Sequence, residues 1–227
     1  CGTHVTKKDI PQWVLKITAY AEKLLNDLDG LDWPEKVKLM QKNWIGKSEG
    51  LTFSSPVKDS DMVLETYSAH FEACYADTFV VIAPDHQLLP QLLEGIRNKE
   101  EILSFAKKVV EKRIAAGNEG EKELEGIFTG RYIINPLNGK ELPIWVASFA
   151  LADYGTGIVK CSAHDERDFA FAKKYNIPLT VGLVPTHDEE LKKRVLDQEV
   201  CFTDMQNGML LMPEAFAGKR AADVREQ

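Results

Sequence analysis

Short segments rich in β-branched and aromatic residues recur between residues 51 and 184, each fenced by turn formers, with helical stretches inserted in bursts. No other feature constrains the fold as much. Strict strand–helix alternation would specify a doubly wound parallel sheet, whereas this order predicts a mixed α/β (α+β) domain with a β-barrel-like core and inserted helices. Strands are expected at 51–56, 62–67, 78–83, 130–135, 142–146, 157–162 and 180–184. Lys58-Asp59-Ser60-Asp61 separates the first pair, and Asn138-Gly139 is a favourable hairpin turn between 130–135 and 142–146.

The helical segments follow from apolar residues spaced three and four apart. Trp13, Val14, Ile17, Ala21, Leu24, Leu25 and Leu28 form one stripe over 11–28, with Asp9 as cap and Gly30 as stop. A short helix follows at 34–41, and two more at 88–97 and 99–116. The last of these has Asn98 as N-cap with Glu101 three residues on, and Gly117-Asn118-Glu119-Gly120 ends it. Helices are also expected at 165–175 and 187–198, the second opened by Thr186 with Glu189 as a capping box. The stripe at 11–28 has few apolar partners nearby, so it is expected to pack on a body outside this chain. Cys1 at the first position agrees with an excised piece of something longer.

Composition removes whole classes of function. The chain has 227 residues, room for one large domain or a domain with an appendage. It carries 28 Lys+Arg against 35 Asp+Glu, a net charge of −7, and no Lys/Arg run longer than two. Binding a duplex through phosphate neutralisation alone is therefore excluded, although a pocket for one nucleic-acid end is not. No apolar run approaches the roughly 18–20 residues of a membrane span, and the charged first thirty residues are not a signal peptide. A cytoplasmic protein without membrane contact is expected. Cys1, Cys74, Cys161 and Cys201 lie far apart without a CxxC pair and read as free thiols, not a metal site. The motifs GxGxxG, GxxxxGK[ST], GxSxG and HExxH are absent.

Two regions carry chemistry. Tyr154-Gly155-Thr156-Gly157 is a glycine-rich turn that lets backbone approach a ligand closely. A strand then leads to His164, Asp165, Glu166, Arg167 and Asp168 at a helix start. A single Asp there usually caps free amides, but three acids in four residues exceed that need and suit a cationic group such as an α-ammonium. His70 and Glu72, flanking Phe71 at a strand end, are an ionisable cluster at a second edge. Cys74 and Cys161 sit in apolar runs and are expected to pack as small buried side chains.

The chain resembles bacterial-type leucyl-tRNA synthetases around their editing insertion. Gln12-Trp13, Lys16-Ile17-Thr18-Ala19-Tyr20-Ala21 and Asn43-Trp44-Ile45-Gly46 resemble the segment leading into it. Ala83-Pro84-Asp85-His86, Asn135-Pro136-Leu137-Asn138-Gly139, Leu142-Pro143-Ile144-Trp145-Val146, Tyr154-Gly155-Thr156-Gly157 and His164-Asp165-Glu166-Arg167-Asp168 follow the editing domain in order. The resemblance covers about 5–185. It implies a flanking piece of the synthetase body over 1–45 and, over 46–227, the barrel-like editing domain of the class I Val/Ile/Leu enzymes. It further implies post-transfer editing, in which water hydrolyses the ester of mischarged tRNA-Leu as a second sieve. Asp168 would hold the substrate ammonium, with Tyr154, Gly155, Thr156 and Gly157 near the terminal adenosine. Ser68, His70 and Glu72 are then candidates to position or deprotonate water, and Ala69, Ala73, Lys160, His164 and Asp165 line the substrate site. The implied partners are the 3′ end of tRNA-Leu, amino acids such as norvaline or isoleucine, and the synthetase body in cis. No cofactor is implied for this domain, ATP and Mg belonging to the full-length synthetase.

Departures from that family fall on the pocket. Against the family's T-T-R-P-D-T motif stands Ser68-Ala69-His70-Phe71-Glu72-Ala73, which lacks the second and last threonines. Ile158-Val159-Lys160-Cys161-Ser162-Ala163 is one residue short of the family's segment, lacks its proline, and puts Lys160 at an apolar position. Lys160 is therefore a potential internal partner for Asp168. The rival expectation is an editing-deficient insert that binds the tRNA terminus or supports the fold. A free-standing trans-editing factor is disfavoured by the body-like residues 10–45.

Overall fold

In the computed structural model, residues 10–47, 49–116 and 124–225 are described. The expectations on Cys1, Asp9 and 117–120 lie outside them. The chain divides into two compact units, residues 1–49 and 50–227.

In the first unit α1 spans Ala21–Asp27, with 3₁₀ turns at Ile17–Tyr20 before it and Leu28–Gly30 after it, and α2 spans Glu35–Ile45. The helix expected at 11–28 is thus much shorter. Short helices lean on tertiary packing for their stability. Trp13 is 102% exposed and Val14, Ile17 and Leu24 are exposed too, while Leu28 alone of the stripe is buried. α2 runs past its expected end and stops at Gly46, whose φ of +65° lets its N–H reach the Lys42 carbonyl at 3.0 Å.

The second unit begins with β1 (Leu51–Pro56), β2 (Val63–Ser68), a 3₁₀ helix at Phe71–Ala76 and β3 (Phe79–Ile82). There follow α3 (Leu89–Leu92), α4 (Lys99–Ala116), β4 (Gly126–Ile134), β5 (Glu141–Ala147), β6 (Ile158–Cys161) and α5 (Glu166–Tyr175). The C-terminal part adds β7 (Leu183–Val184), α6 (Glu189–Leu196), β8 (Met209–Leu210) and α7 (Ala221–Val224). The helix expected at 88–97 is one turn, because Pro90 starts it and Gly95, at φ +75°, breaks the chain direction. The strand expected at 180–184 is two residues long, paired only with β8. Asp188, not Thr186, caps α6, accepting from the Leu191 N–H at 2.8 Å.

Six strands form one sheet in the order β1-β2-β6-β3-β5-β4. The β2–β6 and β3–β5 pairs are parallel and the others antiparallel. Its edges meet: Val57 bridges Ile133, and Lys58 donates to the Tyr132 carbonyl at 2.8 Å. That contact curls the sheet into the barrel-like form expected. Alternation along each strand divides the core in two. Leu64, Val80, Ile82, Ile144, Val146 and Ile158 share one face with Ile102 and Ala106 of α4. Phe79, Val81, Ala147 and Cys161 share the other with Phe171 and Ala172 of α5.

Candidate functional site

The second face of the sheet is not wholly covered. Val81 of β3 with Val159 and Cys161 of β6 floors a pocket of about 130 Å³, walled by Phe149, Ala150, Leu151 and Tyr154 and closed by Arg167 and Asp168. Asp165 builds the helix start: its carboxylate accepts from the Arg167 and Asp168 N–H groups at 2.9 and 3.0 Å. That cap aims the first turn of α5 at the pocket. Asp168 is 7% exposed. Burial pushes its carboxyl up to about 7, reinforced by Asp165 and opposed by Arg167, the Cys161 thiol and the Ser162 N–H. Burial also pushes the Cys161 thiol well up, so it stays a protonated donor. Arg167 leans outward, its guanidinium 4.6 Å over the Phe149 ring.

The 154–157 turn is clamped against this pocket. Tyr154 meets Tyr67 edge-on at 5.6 Å between ring centroids, and burial raises its phenol. A Cβ on Gly155 would lie 2.7 Å from Tyr67, and one on Gly157 would lie 2.7 Å from His86. Both glycines have positive φ, so close approach and backbone conformation each demand glycine. His86 accepts from the Leu88 N–H at Nδ1 (3.1 Å), which leaves Nε2–H to donate to the Thr156 carbonyl at 3.0 Å. A wider cleft of about 430 Å³, lined by His70, His164, Asp165, Glu166, Arg167 and Thr203, lies on the other side of Arg167. Among the described residues no group of His, Cys, Asp and Glu could hold a metal ion, and no helix is long and apolar enough to cross a membrane.

The family model for the leucyl-tRNA synthetase editing domain matches residues 42–227. This chain belongs to that family. A leucine–tRNA ligase of Caldanaerobacter subterraneus subsp. tengcongensis is 42% identical over 226 residues, 99% of this chain and 26% of that protein. One from Thermotoga maritima is 44% identical over 200 residues, 87% of this chain and 24% of that protein. The chain thus spans about a quarter of the length of the curated relatives it matches. A crystallised ternary complex of Agrobacterium radiobacter K84 LeuRS, tRNA and LeuAMS has a chain 31% identical, with a TM-score of 0.61, covering 75% of this chain and 21% of that one.

Within this editing domain the expected site residues separate into distinct places. Asp168, Tyr154 and the 154–157 turn come together. Lys160 does not join them: on β6 it points, like Ile158, to the opposite face from Val159 and Cys161, so the expected Lys160–Asp168 pairing does not occur. His164 is buried and saturated, not a substrate ligand. Its Nδ1 pairs with the Phe202 carbonyl at 2.9 Å, while Nε2 accepts from the Gly182 and Leu183 N–H groups at 2.9 and 3.0 Å. Burial lowers its pKa, in keeping with a neutral ring. Asp165 serves as a cap. Glu72 is ion-paired with Arg225 beyond α7, which keeps it from the pocket as a free base. Ser68, at the end of β2, and Ala73, in the 3₁₀ helix, are buried; Ala69 is half-buried and His70 exposed on the wider cleft. Phe149, Leu151 and Tyr67 are not among the expected site residues, and Cys161, Ser162 and His86 enter only as parts of family segments or as core packing, without a site role. The alternation of β6 around Lys160 is the signal that could have placed Cys161 beside Asp168.

Proposed function

We propose that this domain hydrolyses the aminoacyl ester of mischarged tRNA-Leu in the cytoplasm, as the editing part of a leucine–tRNA ligase. The observation that carries the proposal is Asp168, a buried carboxyl at the wall of an apolar pocket with no Lys or Arg ion pair among the described residues. An aminoacyl ester brings an α-ammonium to that carboxylate and an aliphatic side chain to Val81, Val159 and Leu151. A charge-assisted hydrogen bond there contributes about 1.5–3 kcal/mol. Water attacks the ester carbonyl, the bond to the ribose oxygen breaks, and the proton of water passes to that oxygen. His70, exposed on the adjoining cleft, is our candidate to relay it, since Glu72 is engaged by Arg225. No cofactor takes part in this step. The partners are the 3′ end of tRNA-Leu, a wrongly attached amino acid such as norvaline or isoleucine, and the rest of the synthetase in cis.

A second reading, an editing-deficient insert that binds the tRNA terminus, draws support from the engaged Glu72 and the buried Ala73. Deacylation of norvalyl-, isoleucyl- and leucyl-tRNA-Leu separates the two. Turnover of at least one ester well above spontaneous hydrolysis is expected. Rates equal to the spontaneous one on all three would leave only the binding role.

A further inference from the structure

The last part of the chain carries a small core of its own. Leu183, Leu210, Ala221 and Val224 pack with Phe202, Met205 and Phe216, apart from the two cores on the faces of the sheet. Through Thr203 this C-terminal part also walls the cleft of about 430 Å³ that His70 and the start of α5 line.

A buried side chain joins that wall to the start of α5. His164 is 1% exposed. Its Nε2 accepts from the Gly182 and Leu183 N–H groups at 2.9 and 3.0 Å, so that nitrogen carries no proton. The ring proton sits on Nδ1 and is donated to the Phe202 carbonyl, 2.9 Å away and next in sequence to Thr203. Both ring nitrogens are thus spent on the C-terminal part. The His164 backbone stays with the sheet and helix: its N–H donates to Ser162 Oγ at 3.2 Å, and Asp165, the cap of α5, follows directly. Gly182 seats the joint closely. A Cβ there would lie 2.5 Å from the Ala76 Cβ, and its carbonyl accepts from the Leu211 N–H at 2.8 Å. Further ties across this boundary are the Cys201 thiol on the Ala163 carbonyl, at 3.3 Å, and the Arg225–Glu72 pair.

We propose that the C-terminal part is a wall of the cleft that acid releases, with His164 as its catch. A proton added at Nε2 turns an acceptor into a donor and sets it against two N–H donors. Both hydrogen bonds are lost, and the Gly182 and Leu183 amides are left without acceptors. The wall, held together by its own small core, then moves as a unit and the cleft widens at Thr203. Burial disfavours the charged ring, the Phe202 carbonyl favours it and His70 opposes it. Asp165, Glu166 and Arg167 line the same cleft from α5, and the Cys201 thiol meets the chain one residue before the ring. The catch therefore holds at neutral pH. The closed state binds one proton fewer than the released one, so opening becomes easier as the pH falls below the ordinary histidine value of 6.5.

The test is amide hydrogen exchange of the chain followed by NMR, stepwise from about pH 8 downward, with the imidazole nitrogen shifts recorded alongside. Protection at Gly182 and Leu183, corrected for the intrinsic rate, should fall roughly tenfold per pH unit below about 6.5. The β3 amides of Val80 and Val81 should stay more strongly protected throughout. In His164→Gln the side-chain oxygen still accepts from the two amides and takes up no proton, so the slope at Gly182 and Leu183 should vanish. The nitrogen shifts should show a proton on Nδ1 and none on Nε2 at neutral pH. Exchange of Gly182 and Leu183 together with β3 in one global opening would overturn the proposal, as would a slope that survives His164→Gln or a proton on Nε2. If His164→Gln fails to fold, the wild-type series decides alone, because the catch requires the C-terminal amides to open ahead of β3. Exchange needs no turnover, so a wild type without deacylase activity would count against the proposed function and not against this catch.

Discussion

Asp168 sets the chemistry at the scale of single residues. Its carboxyl is raised to about 7, so the folded state holds a proton that the unfolded chain releases near pH 4. Its contribution to stability is therefore full below about pH 4 and lost as the pH rises through about 7. Asp168→Asn should narrow the stability gap between pH 5 and pH 8, read by urea unfolding at both. A wild-type gap unchanged in the variant would show that the carboxyl is not proton-linked to folding. Binding a cation needs the ionised form, so affinity for an aminoacyl amine should rise over the same interval. Gly157 is the second sensitive position. Gly157→Ala places a Cβ 2.7 Å from His86 at a φ of +74° and should cost about 1–3 kcal/mol, measured by thermal unfolding.

At the scale of elements, legibility followed the physics that made each one. α4 was readable to its described ends because its stripe of Ile102, Ala106 and Val109 meets a core within the same unit. The helix expected at 11–28 is shorter because, among the described residues, Trp13 and Ile17 stay largely exposed and too little packs on them to hold the first turns. The cap of α6 was misplaced because Thr186 with Glu189 fits the capping box while Asp188 is an equally favoured cap residue, and only geometry shows the Asp188 carboxylate under the Leu191 N–H. Asp188→Ala should cost about 0.5–2 kcal/mol, whereas Thr186→Ala should change helix stability little. The candidate site was legible in its motifs and not in its facing. Lys160 and Cys161 are neighbours in sequence and lie on opposite faces of β6, a distinction that needs the strand's partners as well as its composition. His164 read as a site histidine for the same reason: nothing in its motif discloses that Phe202, Gly182 and Leu183 surround its ring.

At the scale of the whole molecule, a charged tie among the described residues joins the C-terminal part to the site region. Arg225 pairs with the Glu72 side chain, which is 4% exposed, and lies 4.3 Å over the Phe71 ring. Arg225→Ala should lower stability by about 1–3 kcal/mol, a range that allows for partial exposure of the guanidinium, and it should loosen the 71–76 helix, read as faster amide exchange at Cys74 and Asp77. The central claim is that an ammonium on the substrate meets Asp168, and the most direct measurement is deacylation of norvalyl-tRNA-Leu beside its N-acetylated form. Both esters are assayed with the wild type and with Asp168→Ala. Acetylation should cut wild-type kcat/KM roughly 10- to 100-fold, the equivalent of a charge-assisted hydrogen bond. Asp168→Ala should lose a similar factor on the free amine and almost nothing further on the acetylated ester. Equal hydrolysis of both esters by the wild type would contradict the account.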